Sequence, residues 1–381
     1  MLSCSQMRLP PIPKLIVANS LVAVVTLRGM VEDTTFTLRP MVHADGQALA
    51  ALGEQTPETG MVSMHSRFER DAYDTLLALR PGTIGVVAET ADHPGLVGLC
   101  LMSFAQCWFE GAIRPSAYLY SLSVHPGYRR RGLASRLTAW LVGTAHERYG
   151  NDVVIYAGTQ PGNVASQRTM QSWASQRFDR VVAVVKKPRS KSPPPPSGLV
   201  VRPAEEHDLE EIATRRNAFH DEYNLYSPES AASISAWRAH APFGFQFREY
   251  HVVVDPRGNL LAGAGFVEEG LLLSSQVVSV ATPLRLANLV LRMVPRDGLM
   301  KRIAVDGLWF AADRPDAAAF LWEWMRWLGR DRGSLAMVFF DARSPLAEVI
   351  RMPRWIPSQP GTLVVAGPVP MREDRLIYPG V

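Results

Sequence analysis

The stretch AYLYSLSVHPGYRRRGLASRL, Ala117 to Leu137, decides how this chain is read. An apolar run ends at Val124. Pro126 then stops it, because proline brings no amide to a sheet ladder. A short loop holds Gly127, Tyr128, Arg129, Arg130, Arg131 and Gly132, and a helix is predicted from Leu133 to about Arg148. The first amides of a helix have no partner inside it, and the helix dipole gives that end partial positive charge. Gly132 lets a ligand come close to the backbone, and three guanidiniums add forked donors. Such a loop suits a pyrophosphate.

Outward from this loop, apolar runs and Gly/Pro punctuation predict an α/β chain with a mixed sheet. Strands are expected at Gly82–Thr90, Gly95–Phe109, Ala117–Val124, Val153–Gly158 and Val181–Lys187. Helices are expected near Ser63–Leu79 and Asn163–Trp173. Lys186 to Gly198 reads KKPRSKSPPPPSG, whose four consecutive prolines favour a stiff extended spacer. Beyond it the opening repeats. FTLRPMVHADGQAL, from Phe36, matches LVVRPAEEHDLEEI, from Leu199, in its strand, its Arg-Pro stop and its aspartate, Asp45 against Asp208. Each aspartate is expected to cap a helix. The predicted organisation is a leader of uncertain status at 1–30, a domain at 31–187, a Pro-rich linker at 188–198 and a related domain at 199–381.

The spacing Arg129-x-x-Gly132-x-Ala134, set between a strand ending LSVHPGY and a helix, resembles the (Gln/Arg)-x-x-Gly-x-(Gly/Ala) signature of the GNAT superfamily of N-acetyltransferases. The resemblance covers about Phe36 to Lys187. It implies two tandem GNAT-like domains, each a central mixed β-sheet flanked by helices. It also implies that acetyl-CoA is the co-substrate and an amine the acceptor. The amides of Tyr128, Arg129, Arg130, Arg131, Gly132, Leu133, Ala134 and Ser135 would hold the pyrophosphate. Leu122 and Val124 would pair their backbone with the pantetheine arm. Asn163 and Ser166, after the strand VVIYAG, match the family's Asn at the next helix start. Two family features are missing. The position seven residues past Asn163, often a Tyr that protonates the leaving thiolate, is Met170, and the strand Ala117–Val124 carries no acid. Tyr120 and His125 are the candidate catalytic residues left, acting on the amine through water.

The second half carries an echo of the same plan, but its loop reads AADRPDA, Ala311 to Ala317, with two aspartates and no glycine. Aspartates repel a pyrophosphate and Pro315 removes a donor, so this half is expected to have lost coenzyme A binding. It would support the first half and wall its acceptor cleft. Trp322, Trp324 and Trp327 on its helix are expected to form a core or inter-half face.

Bulk properties narrow the function. Apolar residues make 47% and charged residues 20% of 381, which excludes wholesale disorder. The net charge of +4 is too small for a nucleic-acid face. Cys4, Cys100 and Cys107 have no metal-ligand or disulfide spacing, so no metal is expected and a reduced, cytoplasmic protein is. The apolar segment Leu15–Leu27 is too short to span a bilayer. The reading is an N-acetyltransferase, monomer or homodimer, with acceptor specificity in Ala51–Leu79, Ala105–Arg114 and the cleft between halves. The alternative is a catalytically inactive acyl-CoA sensor or scaffold.

Overall fold

The computed structural model describes residues 35–58, 62–160, 162–280, 282, 288, 294–350 and 360–379. The leader reading at 1–30 lies outside them. The first half runs β1 (Thr37–Pro40), α1 (Gly46–Gln55), β2 (Val62–Phe68), α2 (Ala72–Leu79), β3 (Thr83–Thr90), β4 (His93–Phe109), β5 (Ala112–Val124), α3 (Leu133–Tyr149), β6 (Val154–Thr159), α4 (Val164–Met170) and β7 (Gln176–Lys186). The second runs β8 (Val200–Pro203), α5 (Leu209–Phe219), β9 (Tyr223–Asn224), α6 (Ala231–Ala239), β10 (Arg248–Val254), β11 (Leu260–Val267), β12 (Leu273–Val280) and β13 (Leu299–Phe310). It ends with α7 (Pro315–Leu328), β14 (Leu335–Asp341), α8 (Leu346–Val349), β15 (Gly361–Ala366) and β16 (Leu376–Ile377).

The two halves share one sheet. Its main path is β1-β3-β4-β5-β6-β15-β7-β14-β13-β11-β10-β8. Read from either end, the path gives the same plan. Each half contributes an antiparallel set that ends in one parallel pair, β5–β6 in the first and β13–β14 in the second. The last strand of each half is then exchanged. β7 lies antiparallel to β14, and β15 lies antiparallel to β6. The exchange places the seam of the molecule between β15 and β7, inside a continuous hydrogen-bonded sheet. Contacts accordingly merge residues 35–381 into one unit.

The openings of the halves match in detail. Arg39 grips Asp45 with two hydrogen bonds of 2.8 and 2.7 Å, and Arg202 grips Asp208 with two of 2.5 and 2.8 Å. The expected caps differ from what forms. Each aspartate accepts an amide before the helix, from Val42 and Glu205, rather than one inside it. The carboxylate therefore staples the strand end to the helix start.

The stretch from Ser63 was expected to be helical, but Val62–Phe68 is a strand. Val62, Met64, Ser66 and Phe68 alternate with polar residues, and β2 pairs with β12 of the other half. The helix waits for Asp71, whose carboxylate accepts the Asp74 amide. The Pro-rich link is pinned along α7. Arg189 donates to the Arg326 carbonyl at 3.0 Å and to Glu323 at 2.5 Å, and Arg326 donates to the Lys187 carbonyl. Trp322 is buried in the second core, with Trp324 packed against that core. The hairpin Ala105–Arg114 also docks on the second half. The Trp108 amide donates to the Tyr226 carbonyl at 2.8 Å, the Leu225 amide donates to the Trp108 carbonyl at 2.7 Å, and Glu110 and Asn224 bond in both directions.

Candidate active site

The first half's parallel pair opens into a wedge. β5 pairs with β6 from Ser116 opposite Val154 to Leu119 opposite Ala157. Past that point β6 stays with β15, while β5 stays with β4. On its other edge β5 carries a bulge, in which Ser121 and Leu122 stand against Cys100 alone. Ser121 takes φ 50° there, a left-handed conformation few non-glycine residues adopt. Between the parted strands, the β6-side edge of β5 has no ladder partner among the described residues. Unpaired backbone of this kind accepts an extended ligand as an added strand.

The wedge leads to the start of α3. Pro126 to Tyr128 form one 3-10 turn, and Gly132 caps the helix at φ 75° with no side chain engaged. Arg130 also takes a left-handed φ, 63°. The first helical bond runs from the Arg136 amide to the Gly132 carbonyl, so the amides of Leu133, Ala134 and Ser135 precede the ladder. A Cβ on Gly132 would meet nothing within 4 Å among the described residues. The helix itself is fixed from below. Leu133, Leu137, Leu141 and Ala145, one face at i,i+4 spacing, pack on Cys100, Met102, Ala117 and Leu119. Each buried leucine contributes about 2 kcal/mol.

The three arginines divide. Arg129 donates Nε to the Val124 carbonyl at 3.1 Å, which closes the loop and occupies an acceptor expected to be free. Arg131 lies 5.1 Å over the buried ring of Tyr128, whose hydroxyl donates to Asp92. Arg130 is exposed. Asn163 caps α4 by accepting the Ser166 amide at 3.1 Å, and Met170 is buried in the core under α3.

The expected catalytic pair is not brought together. Tyr120 faces the side of the sheet that carries α1 and α2. Its hydroxyl is hydrogen-bonded to that of Thr83 at 2.6 Å, and burial pushes its pKa up to about 12. It is a neutral phenol already engaged. His125 packs instead beside His93, at the far edge of β4. Burial, then His93 and Arg129, lower its pKa, so the ring is neutral at pH 7. Its Nδ1 accepts the Gly127 amide, which leaves the proton on Nε2 and no free lone pair for a base.

Other groups occupy the vertex of the wedge. Tyr118 stacks on Tyr120 at 5.6 Å and lies 5.0 Å from Tyr156. The Arg80 guanidinium sits 4.8 and 5.2 Å over the rings of Tyr118 and Tyr120. Glu58, from the α1–β2 connection, accepts from Gln160 at the end of β6, 2.9 Å away. An acid therefore reaches this region although the strand carries none. Only folding brings Arg80, Glu58 and the bulge here, and no local motif marks them. Cys100 is fully buried and Cys107 likewise, and burial pushes both thiols up to about 12.

The second half repeats the wedge and fills it. β13 carries the same bulge, with Asp306 where β5 has Tyr120 and Gly307, at φ 57°, where β5 has Ser121. Arg216 from α5 lies against Gly307, so close that a Cβ there would fall 2.3 Å from its guanidinium carbon. Asp306 accepts from Arg216 at 3.3 Å and from the Tyr378 hydroxyl at 3.0 Å. At the start of α7, Arg314 folds back onto Asp316 with bonds of 3.0 and 2.9 Å, and Pro315 takes the first helical position.

Residues 52–173 match the model of the Acetyltransferase (GNAT) family, so this segment is a GNAT domain. The whole arrangement is similar to solved structures of Saccharomyces cerevisiae N-myristoyltransferase with bound myristoyl-CoA. One aligns at a TM-score of 0.59 and 12% identity over 90% of this chain and 84% of that chain. Another aligns at 0.56 and 11% over 90% and 80%. At such identity the likeness is one of fold. No curated protein matches the sequence. No helix among the described residues is long and apolar enough to cross a membrane.

Proposed function

We propose that this chain is an acetyl-CoA-dependent N-acyltransferase acting on a primary amine. The observation that carries the reading is the β5–β6 wedge running to an uncapped helix start at Gly132. Amides from Arg130 to Ser135 bind the pyrophosphate, those of Tyr128 and Arg129 being engaged within the loop, and the edge of β5 at Leu122 pairs with the pantetheine arm, the Val124 carbonyl being held by Arg129. Asn163 and Ser166 border that arm at the start of α4. Tyr118, Tyr120, Tyr156 and Arg80 crowd the vertex, where the acyl group ends. A two-carbon acyl group suits that space better than a long chain.

The neutral amine attacks the thioester carbon, and the developing oxyanion takes a backbone N–H at the Ser121–Leu122 bulge. The carbon–sulfur bond breaks and coenzyme A leaves as thiolate. Glu58, directly or through water, takes the proton the new amide sheds. Holding the two reactants together supplies much of the rate.

An acyl-CoA sensor is the second reading, favoured by the engagement of both Tyr120 and His125. An assay for free coenzyme A thiol over an amine panel separates the two. Amine-dependent thiol release supports transfer, and binding of acetyl-CoA with no release on any amine supports the sensor.

A further inference from the structure

Arg80 ends α2, where its amide donates to the Leu76 carbonyl and its carbonyl accepts from Thr83. Its guanidinium lies over two tyrosine rings. No ion pair or hydrogen bond among the described residues uses its side-chain donors, and none of them is sealed from solvent. Arg39 and Arg202, half-buried likewise, do have acids, Asp45 and Asp208. The Tyr118 hydroxyl is similarly without a hydrogen-bond partner among the described residues. It lies 3.7 Å from where a Cβ on Gly158 would be, so the glycine leaves it uncovered. Five forked donors and a phenol thus face the vertex with nothing to bind.

The second half displays a completed version of this set. At the matching bulge, a guanidinium (Arg216) and a tyrosine hydroxyl (Tyr378) hold a carboxylate, that of Asp306. In the first half the guanidinium and the hydroxyl are present, and the strand position of the carboxylate is Tyr120.

We infer that Arg80 and the Tyr118 hydroxyl bind a carboxylate carried by the acceptor, so that the substrates are amines bearing a nearby carboxylate, in the manner of α-amino acids. A guanidinium takes a carboxylate through two parallel bonds, which fixes the attached amine as well as holding it. The same charge disfavours polycationic amines. The inference rests on the transferase reading above and names the substrate class of that site.

The test is turnover of matched pairs, each α-amino acid against its carboxamide, by wild type and by Arg80→Met, which keeps an apolar stem over the rings. Wild type is expected to favour the free acid in kcat/KM by about tenfold or more, the value of one charge-assisted bond. In Arg80→Met the preference falls to near unity, through KM for the acid, while acetyl-CoA affinity holds. Equal use of acid and amide by wild type overturns the inference and leaves the transferase standing. So does an acid preference that survives Arg80→Met. If that variant loses acetyl-CoA affinity, the wild-type ratio decides alone. No turnover of any amine overturns the transferase reading and this inference with it.

Discussion

The two halves of this molecule use one backbone device and treat it oppositely. Both start with an Arg–Asp staple, both carry a bulge on the strand before the parallel pair, and both part that pair beyond it. In the first half the gap leads to a helix start with Gly132 left-handed and nothing among the described residues within 4 Å of where its Cβ would stand. In the second, Arg216, Tyr378 and Asp306 fill the gap, and Arg314 with Asp316 occupies the helix start. The wedge therefore belongs to the fold, and the two halves differ in the side chains that fill it. Filling it also has a structural use: the second half's plug ties α5 and the C-terminal segment to β13.

The plug gives the largest effect. Arg216→Ala leaves the part-buried Asp306 without its guanidinium and empties the space beside Gly307, which costs about 3 kcal/mol. Thermal melting is expected to show a fall on the order of 10 °C. An unchanged melt would mean the filled wedge does not hold the second half together. Tyr378→Phe removes one bond to Asp306 and is expected to cost about 1 kcal/mol by denaturant titration.

The staples test the likeness of the halves. Arg39 holds Asp45 below the usual carboxylate range, and Arg202 does the same for Asp208. A folded-state pKa below the unfolded one gives stability that is present above about pH 4 and lost as pH falls through the lowered value. Asp45→Asn and Asp208→Asn should each remove part of that acid limb, by about 1 kcal/mol or less, since both arginines are partly exposed. Unfolding free energy measured from pH 6 down to pH 2 checks this, and a loss in only one half would break the parallel. The smallest effects fall on the residues the sequence offered as catalysts. Tyr120→Phe and His125→Ala are expected to change kcat by less than about threefold, or 0.7 kcal/mol, with the pH–rate limbs unmoved. A lost limb would restore that residue to the mechanism.

Much of the first half was legible because its signals are local. Pro126, Gly132 and the arginines between them mark a strand-loop-helix, and the helix expected to carry Trp322, Trp324 and Trp327 forms as α7. What was not legible depends on partners distant in the chain. The segment from Ser63 reads as helix until β12 is there to pair with it. The strand exchange of β7 and β15 leaves no mark on either sequence, because each strand looks the same whichever half it joins. Tyr120 and His125 stand near the loop in sequence. Their neighbours Thr83, His93 and Gly127, which engage or displace them, become visible only in the fold. Arg80 ends a helix like many arginines, and its place over Tyr118 and Tyr120 is set by the turn before β3.

The central claim, that one half takes the cofactor and the other has closed, is tested most directly by calorimetric titration with acetyl-CoA. Wild type, Gly132→Asp, Gly132→Asn and Arg314→Ala are compared. Asparagine tolerates the left-handed backbone, so it separates strain from charge. One molecule is expected to bind per chain, with affinity lost by about a hundredfold or more in Gly132→Asp, a smaller loss in Gly132→Asn, and none in Arg314→Ala. Two molecules per chain, or unchanged binding in Gly132→Asp, would contradict it.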